Sequence, residues 1–89
     1  MKAIVSVISR DTTGIIARVS GILYENNVNI LDISQSVMRE IFSMVMMIDI
    51  SNSAVPFSEL IDQLDGLGKE MNMVVHTMHQ DIFNAMHQI

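Results

Sequence analysis

The residues best suited to chemistry are the polar loop Asp11-Thr12-Thr13-Gly14 and an asparagine further along, Asn29. The loop directly precedes a helical pattern, and the start of a helix presents unpaired backbone N–H groups that can hold a carboxylate. Gly14 allows the backbone to approach a ligand closely, and Asp11 can accept hydrogen bonds from an ammonium group. The Asn29 side chain offers both a donor and an acceptor. Together these groups are suited to an α-amino acid, which carries both charges.

The loop and Asn29 cannot close around one small molecule within one chain. Asp11 lies where the first strand ends and Asn29 lies where the second begins, so a helix of about 12 residues separates them by roughly 18 Å. The second strand is expected at a sheet edge, and such edges tend to pair with other strands. Antiparallel pairing about a two-fold axis would bring Asn29 of one subunit toward the loop of the other. We therefore expect a site shared between the subunits of a homodimer.

Each of these residues also has a purely structural interpretation. Asp11 can be a loop or cap residue, Gly14 can be a turn glycine, and Asn29 can satisfy backbone groups at the start of its strand. The three histidines are not spaced as metal ligands. Nothing marks a nucleophile elbow or an activated base. We expect no metal, no cofactor and no catalytic residue.

The elements that position the loop and Asn29 follow from hydrophobic periodicity. We predict strands over Ala3–Ser9, Asn29–Met38, Ile41–Ile50 and Met73–Met78, and helices over Gly14–Asn26, Phe57–Met71 and Asp81–Ile89. Thr12 or Thr13 is expected to cap the first helix, and Asn26-Asn27 to end it. Two split βαβ units predict an α+β, ferredoxin-like sandwich with the antiparallel sheet order 4-1-3-2. Both main helices then lie on one face.

The terminal helix is expected to cover the other face of the sheet. Both alternating sets of the first strand are apolar, which predicts that this strand is buried on both sides. The cover can come from the chain's own helix or from that of a partner. We divide the chain into a domain over residues 1–80 and a C-terminal helix over 81–89. The methionines at 44, 46, 47, 73 and 78 are expected mostly in the core, with partner binding as the alternative.

Composition limits the class of protein. With 89 residues the chain is one small domain, and because it lacks cysteine it has neither disulfides nor thiolate metal sites. Small chains of this kind often gain stability by associating. A net charge of −5 argues against direct nucleic-acid binding. No apolar run approaches the length of a membrane span, and the first residues lack a signal-peptide pattern, so we expect a cytoplasmic protein without membrane contact.

The segment from Asp11 to Ser20, D-T-T-G-I-I-A-R-V-S, resembles the opening of an ACT domain. The family pattern is a strand, then D-x-x-G-[ILV], a helix and [VI]-N-I, which here is Val28-Asn29-Ile30. Asn29 follows Gly14 by fifteen residues, as the pattern requires. The segments Asp32–Gln35 and Phe42–Met44 narrow the resemblance to glycine-cleavage repressors and formyltetrahydrofolate hydrolases. The chain is more similar still to stand-alone bacterial ACT proteins of unassigned function, whose ends resemble residues 81–87.

The resemblance implies a regulatory protein rather than an enzyme, because ACT domains commonly dimerise and bind amino acids at the interface. It places ligand contacts on the motif residues Asp11, Thr12, Thr13, Gly14, Ile15, Asn29 and Ile30. The second hypothesis is a dimeric adaptor for an unidentified protein partner, with a vestigial ligand site. The third is a small ferredoxin-like enzyme, which lacks evident catalytic groups.

Overall fold

The computed structural model describes residues 1–10 and 13–86 of the 89-residue chain. Its elements follow the order βαββαβα. They are β1 (Lys2–Arg10), α1 (Ile15–Glu25), β2 (Asn29–Met38), β3 (Ile41–Asp49), α2 (Phe57–Met71), β4 (Val74–His79) and α3 (Gln80–Met86). The predicted elements are confirmed, and no bound within the described residues moves by more than one residue. The helix predicted from Asp81 begins at Gln80, and residues 87–89 of that prediction lie outside the described residues.

The four strands form one antiparallel sheet in the order β2-β3-β1-β4, which confirms the predicted ferredoxin-like topology. The pairings of β1 set Val5 opposite Met46 on one side and Thr77 on the other. β2 and β3 are joined by the tight turn at Arg39, whose φ is 58°. A bulge interrupts their ladder between Ile30 and Asp32, so that Asn29 is the partner of Asp49.

The core lies between one face of the sheet and the two long helices. Alternate residues of β1 and β3 point into it, and α1 and α2 contribute apolar residues at helical spacing. The fully buried side chains with the largest volumes are Leu23, Met44, Met46, Ile48, Leu60, Leu64, Val5, Val7 and Val19. The methionine stripe of β3 is therefore core on this side.

The start of α1 differs from the prediction. The N-cap residue is Gly14, with φ of 91°, and no side chain among residues 1–10 and 13–86 makes a capping hydrogen bond to the helix. The predicted threonine cap is therefore wrong at Thr13, and Thr12 lies outside the described residues. A left-handed backbone at the cap suits glycine because it carries no Cβ. The end of α1 agrees with the prediction, since Asn26 is the C-cap and Asn27 is left-handed, with φ of 59°.

The second face of the sheet is only half covered. α3 packs over β1 and β4, and Ile4 of β1 is 3% exposed. Ile8, further along the same face of β1, is 50% exposed. Within one chain β1 is therefore buried on both sides at Ile4 but not at Ile8, since the described residues of α3 pack over the Ile4 end of the strand. Cover of Ile8 by the helix of a partner stays a prediction. The division of the chain into residues 1–80 and 81–89 stays a prediction.

Two glycines of α2 differ in their surroundings. A Cβ added at Gly68 would lie 2.9 Å from the backbone oxygen of Met73 and 3.1 Å from Cγ2 of Val75. A Cβ added at Gly66 would meet nothing within 4 Å. Gly68 thus permits the close approach of α2 to β4, whereas Gly66 has no packing role in this chain.

We expect opposite effects from alanine at these two positions. Gly66→Ala should raise the free energy of unfolding by up to about 1 kcal/mol, because alanine has the higher helix propensity. Gly68→Ala should lower it by about 1 kcal/mol or more, because a backbone carbonyl cannot move away as a flexible side chain can. Urea unfolding of the two variants and the unchanged chain measures both effects, and equal stabilisation by both would contradict the packing role of Gly68.

Candidate functional site

The first part of the candidate site is the start of α1. The N–H groups of Ile15, Ile16 and Ala17 have no partner within the helix, since its hydrogen bonds begin with Arg18 N–H donating to the Gly14 carbonyl at 2.9 Å. Thr13 and Gly14 are exposed, and a Cβ at Gly14 would meet nothing within 4 Å. This backbone is therefore open to a ligand. Asp11 and Thr12 lie outside the described residues.

The side chain of Ile15 does not share this exposure. It is 2% exposed and belongs to the core with Val19 and Leu23. Of the predicted contact residues, Ile15 could therefore meet a ligand through its backbone N–H but not through its side chain.

The second part of the candidate site is Asn29, at the start of β2. Two neighbouring asparagines have structural roles: Asn26 Nδ2 donates to the Ile22 carbonyl at 2.8 Å and to Gln63 Oε1 at 2.7 Å. Asn27 Nδ2 donates to the Asn52 carbonyl at 3.0 Å. The exposed amide of Asn29, by contrast, makes no hydrogen bond to any residue in 1–10 or 13–86. It is thus available to an outside partner.

Asn29 lines a polar hollow of about 430 Å³ at one end of the sheet. We call this the Asn29 hollow, and its lining residues are Tyr24, Asn27, Val28, Asn29, Asp49 and Asn52. A second hollow, of about 520 Å³, lies on the other side of Tyr24 and Asn29, between α1 and the start of β2. It adds Ala17, Ser20, Gly21 and Ile30 to the lining. Asn29 and Ile30 are therefore the predicted contact residues that border a cavity at this end.

Asp49 gives the Asn29 hollow a negative charge. Hydrogen bonding from the Ser51 hydroxyl, and then from the Ser51 backbone N–H at 2.9 Å, lowers the pKa of Asp49 below its ordinary value. The N-terminal ammonium lies 3.6 Å from Oδ1 and acts in the same direction. Asp49 thus remains a carboxylate at pH values where an ordinary aspartate begins to protonate. A carboxylate among amide groups is suited to an ammonium or another polar cationic group.

The sequence interpretation did not include Tyr24, Asp49 and Asn52 in the site. Tyr24 is the last aromatic residue before the helix ends, and its exposed ring separates the two hollows. A hairpin closed at Arg39-Glu40 brings the start of β2 close to the end of β3. The position of Asp49 near Asn29 could therefore have been inferred from the sequence. No sequence pattern indicated the bulge that makes Asp49 the partner of Asn29. Asn52 reaches the hollow through the loop after β3, which sequence patterns do not position.

The structure does not bring the two parts of the candidate site together in one chain. Gly14 precedes α1 and Asn29 follows its C-cap by three residues. The eleven residues of α1 span about 16 Å, so the two parts lie at opposite ends of that helix.

Residues 1–10 and 13–86 contain no group of three or more His, Asp or Glu side chains placed to hold a metal ion. Within the same ranges, no helix has both the length and the apolar character needed to span a membrane.

Comparison with known proteins places the chain in a family. The family model described as ACT domain matches residues 2–78. A UPF0237 protein of Methanocaldococcus jannaschii is 49% identical over 88 residues, with 99% of this chain and 98% of that protein covered. A solved ACT domain protein from Streptococcus pneumoniae is 36% identical, covers 93% of each chain and superposes with a TM-score of 0.80.

A more distant structure shares the fold alone. The formyltetrahydrofolate deformylase of Burkholderia mallei is 10% identical, and it has a TM-score of 0.79 over 88% of this chain and 28% of the deformylase. The family match spans nearly the whole chain and agrees with the sheet order and with the motif around Gly14 and Asn29. The chain therefore belongs to the ACT domain family and is similar to its single-domain UPF0237 members.

Proposed function

We propose that this protein is a non-enzymatic regulator that binds a small metabolite, an amino acid, at the interface of a cytoplasmic homodimer. The observation that supports it most is the free amide of Asn29, at the start of an exposed edge strand and between two hollows. The other half of the proposed site is the open backbone at Gly14. Since α1 separates the two halves in one chain, the proposal needs a second subunit.

The edge strand β2 supports the dimer. Nine of its ten residues are exposed and Ile30 is half-buried. It pairs only with β3, so its other side carries free backbone N–H and C=O groups. The apolar side chains of Leu31, Ile33 and Val37 are exposed along it, without lysine or proline to discourage pairing. Two β2 strands can satisfy these groups by pairing antiparallel with each other.

The chemistry of the two halves supports an α-amino acid as the ligand. The α1 N–H groups and the positive end of the helix dipole can hold the carboxylate. Asp11 of the same loop, and Asp49 at the Asn29 hollow of the partner subunit, are the acidic groups that can accept hydrogen bonds from the ammonium. Asn29 can bridge the two halves because its amide both donates and accepts.

A second candidate function is a dimeric adaptor that binds another protein and no ligand. The exposed apolar edge of β2 favours it to the same degree, since pairing of the edges needs no metabolite. A small ferredoxin-like enzyme is the third and weakest candidate, because none of the described residues in the proposed site has a partner that would activate it as a nucleophile or base. Measured turnover of a candidate substrate would support the enzyme.

The proposed pairing of β2 strands predicts that a charge in the middle of the strand weakens the dimer. Ile33 lies close to the centre of β2, so a two-fold axis brings it close to its own copy. Ile33→Lys should place two like charges side by side and raise the dissociation constant at least tenfold. Equilibrium sedimentation of the purified protein measures this change.

The control is Gly66→Lys on α2, because Gly66 is exposed, a Cβ there meets nothing within 4 Å, and α2 packs against β4 at the opposite edge of the sheet. The control should leave the sedimentation profile unchanged. A chain that sediments as a monomer before any substitution would remove the dimer from the proposal.

Ligand binding is tested by a thermal-shift panel of the amino acids at millimolar concentration. A ligand present at 100 times its Kd should stabilise the protein by about 2.7 kcal/mol. Asp11→Ala and Asn29→Ala should each abolish the shift, because each removes one half of the proposed site. The control is Asp65→Ala, which removes an exposed carboxylate from α2.

The two first candidates differ in the outcome of this panel. The absence of a thermal shift with every amino acid would favour the adaptor. A shift that survives both Asp11→Ala and Asn29→Ala, in variants that remain dimeric, would show that the ligand binds elsewhere.

A further inference from the structure

The open face of the sheet, which the proposed ligand site does not use, has a covered half and a bare half. In the covered half, Phe83 of α3 lies over Ile4, Val45 and Met47, and leaves a cavity of only about 160 Å³. The bare half holds a broad cavity of about 590 Å³. Its lining residues are Ile8, Ser36, Met38, Arg39, Ile41 and Ser43.

The bare half is apolar at positions where a sheet facing water is usually polar. Ile8, Met38 and Ile41 are each at least half exposed, and the register of the strands places them on the same side as Val45 and Val74. Contiguous apolar surface of this kind commonly marks an interface. The helix α3 presents a further exposed apolar residue on its outer side, Ile82, which is 55% exposed.

α3 forms a ridge over β1 and β4 at one end of the open face, and the bare cavity forms a hollow over β1, β2 and β3 at the other end. We infer that the open faces of two copies of this chain pack against each other, with α3 of each copy seated in the bare half of the other. A two-fold axis that runs obliquely across the sheet near Ser6 and Val45 exchanges these two positions. The rotation therefore sets a ridge above a hollow twice.

Charge also favours a second copy as the occupant. The bare end of the face carries Arg10 and Arg39, with Glu40 in the turn beside them. The covered end carries three carboxylates, against Lys2 and the N-terminal ammonium. These carboxylates belong to Asp32, Asp49 and Asp81. The rotation sets the positive end of each copy opposite the negative end of the other, which lowers the electrostatic cost of association.

This interface is separate from the β2 edge and could coexist with it. One lies on the face of the sheet and the other on its edge, so a chain that used both would form a tetramer with two kinds of two-fold contact. The inference does not depend on the proposed amino-acid site, since none of the described residues of that site lines the bare cavity.

The test is the native mass of the protein after substitutions on each side of the interface. Ile41→Glu places a carboxylate in the bare cavity, and Ile82→Glu places one on the ridge that should enter it. Each should halve the native mass measured by light scattering after gel filtration, giving a dimer if the β2 edges pair and a monomer if they do not. Because both side chains are exposed in the single chain, the circular dichroism of the variants should remain that of the unchanged protein.

The control is Gly66→Glu, at an exposed position of α2 outside the open face where a Cβ meets nothing within 4 Å, and it should leave the mass unchanged. Val37→Lys separates the two interfaces, because Val37 is exposed on β2 and lines neither cavity of the open face. It should therefore act on the β2 edge and leave the open-face contact intact. Unchanged native mass in both Ile41→Glu and Ile82→Glu would overturn the inference. A wild-type chain that is monomeric would do the same, and the bare half would then be left to another protein or to solvent.

Discussion

A four-stranded sheet has two faces and two edge strands, and the described part of this chain has two long helices with which to cover them. Both helices pack on the same face, where the alternating residues of β1 and β3 form the core. That packing defines the molecule, because burying this one apolar layer supplies most of the stability of a domain of this size. Every other surface of the sheet has to be satisfied by a short third helix, by solvent or by another chain.

The core layer could be predicted from sequence because its signals are local. The spacing of Ile15, Val19 and Leu23 indicates a helix with one apolar face, and the run of alternating residues in β3 indicates a strand. The order of elements and the preference for right-handed crossovers then leave few topologies. Burial on the second face was harder to predict, because Ile4 and Ile8 look alike in sequence. They differ in their neighbours, since Ile4 lies beside Phe83 of α3 and Ile8 lines the bare cavity.

The parts of the candidate site that depend on local backbone conformation could be predicted from the sequence. The parts that depend on tertiary contacts were harder to predict. Gly14 was expected to allow an unusual backbone, and it adopts a left-handed cap, which displaces the threonine that propensity alone favours. The free amide of Asn29 could not be read from sequence, since Asn26 and Asn27 carry the same side chain and are both occupied. Which asparagine is free depends on Gln63 and Asn52, distant in sequence and fixed by packing.

The bulge in β2 has a consequence for how far two edges can match. A bulged strand bends and twists more sharply at the extra residue, so a continuous ladder with a neighbour is interrupted there. Beyond the bulge, Asp32 to Met38 form a regular stretch of seven residues, while Asn29 and Ile30 lie on the other side of it. A ladder between two paired β2 strands would therefore end before it reached Asn29, and the ends of the two strands would diverge. The bulge therefore keeps Asn29 out of the ladder and leaves its side chain accessible to other molecules.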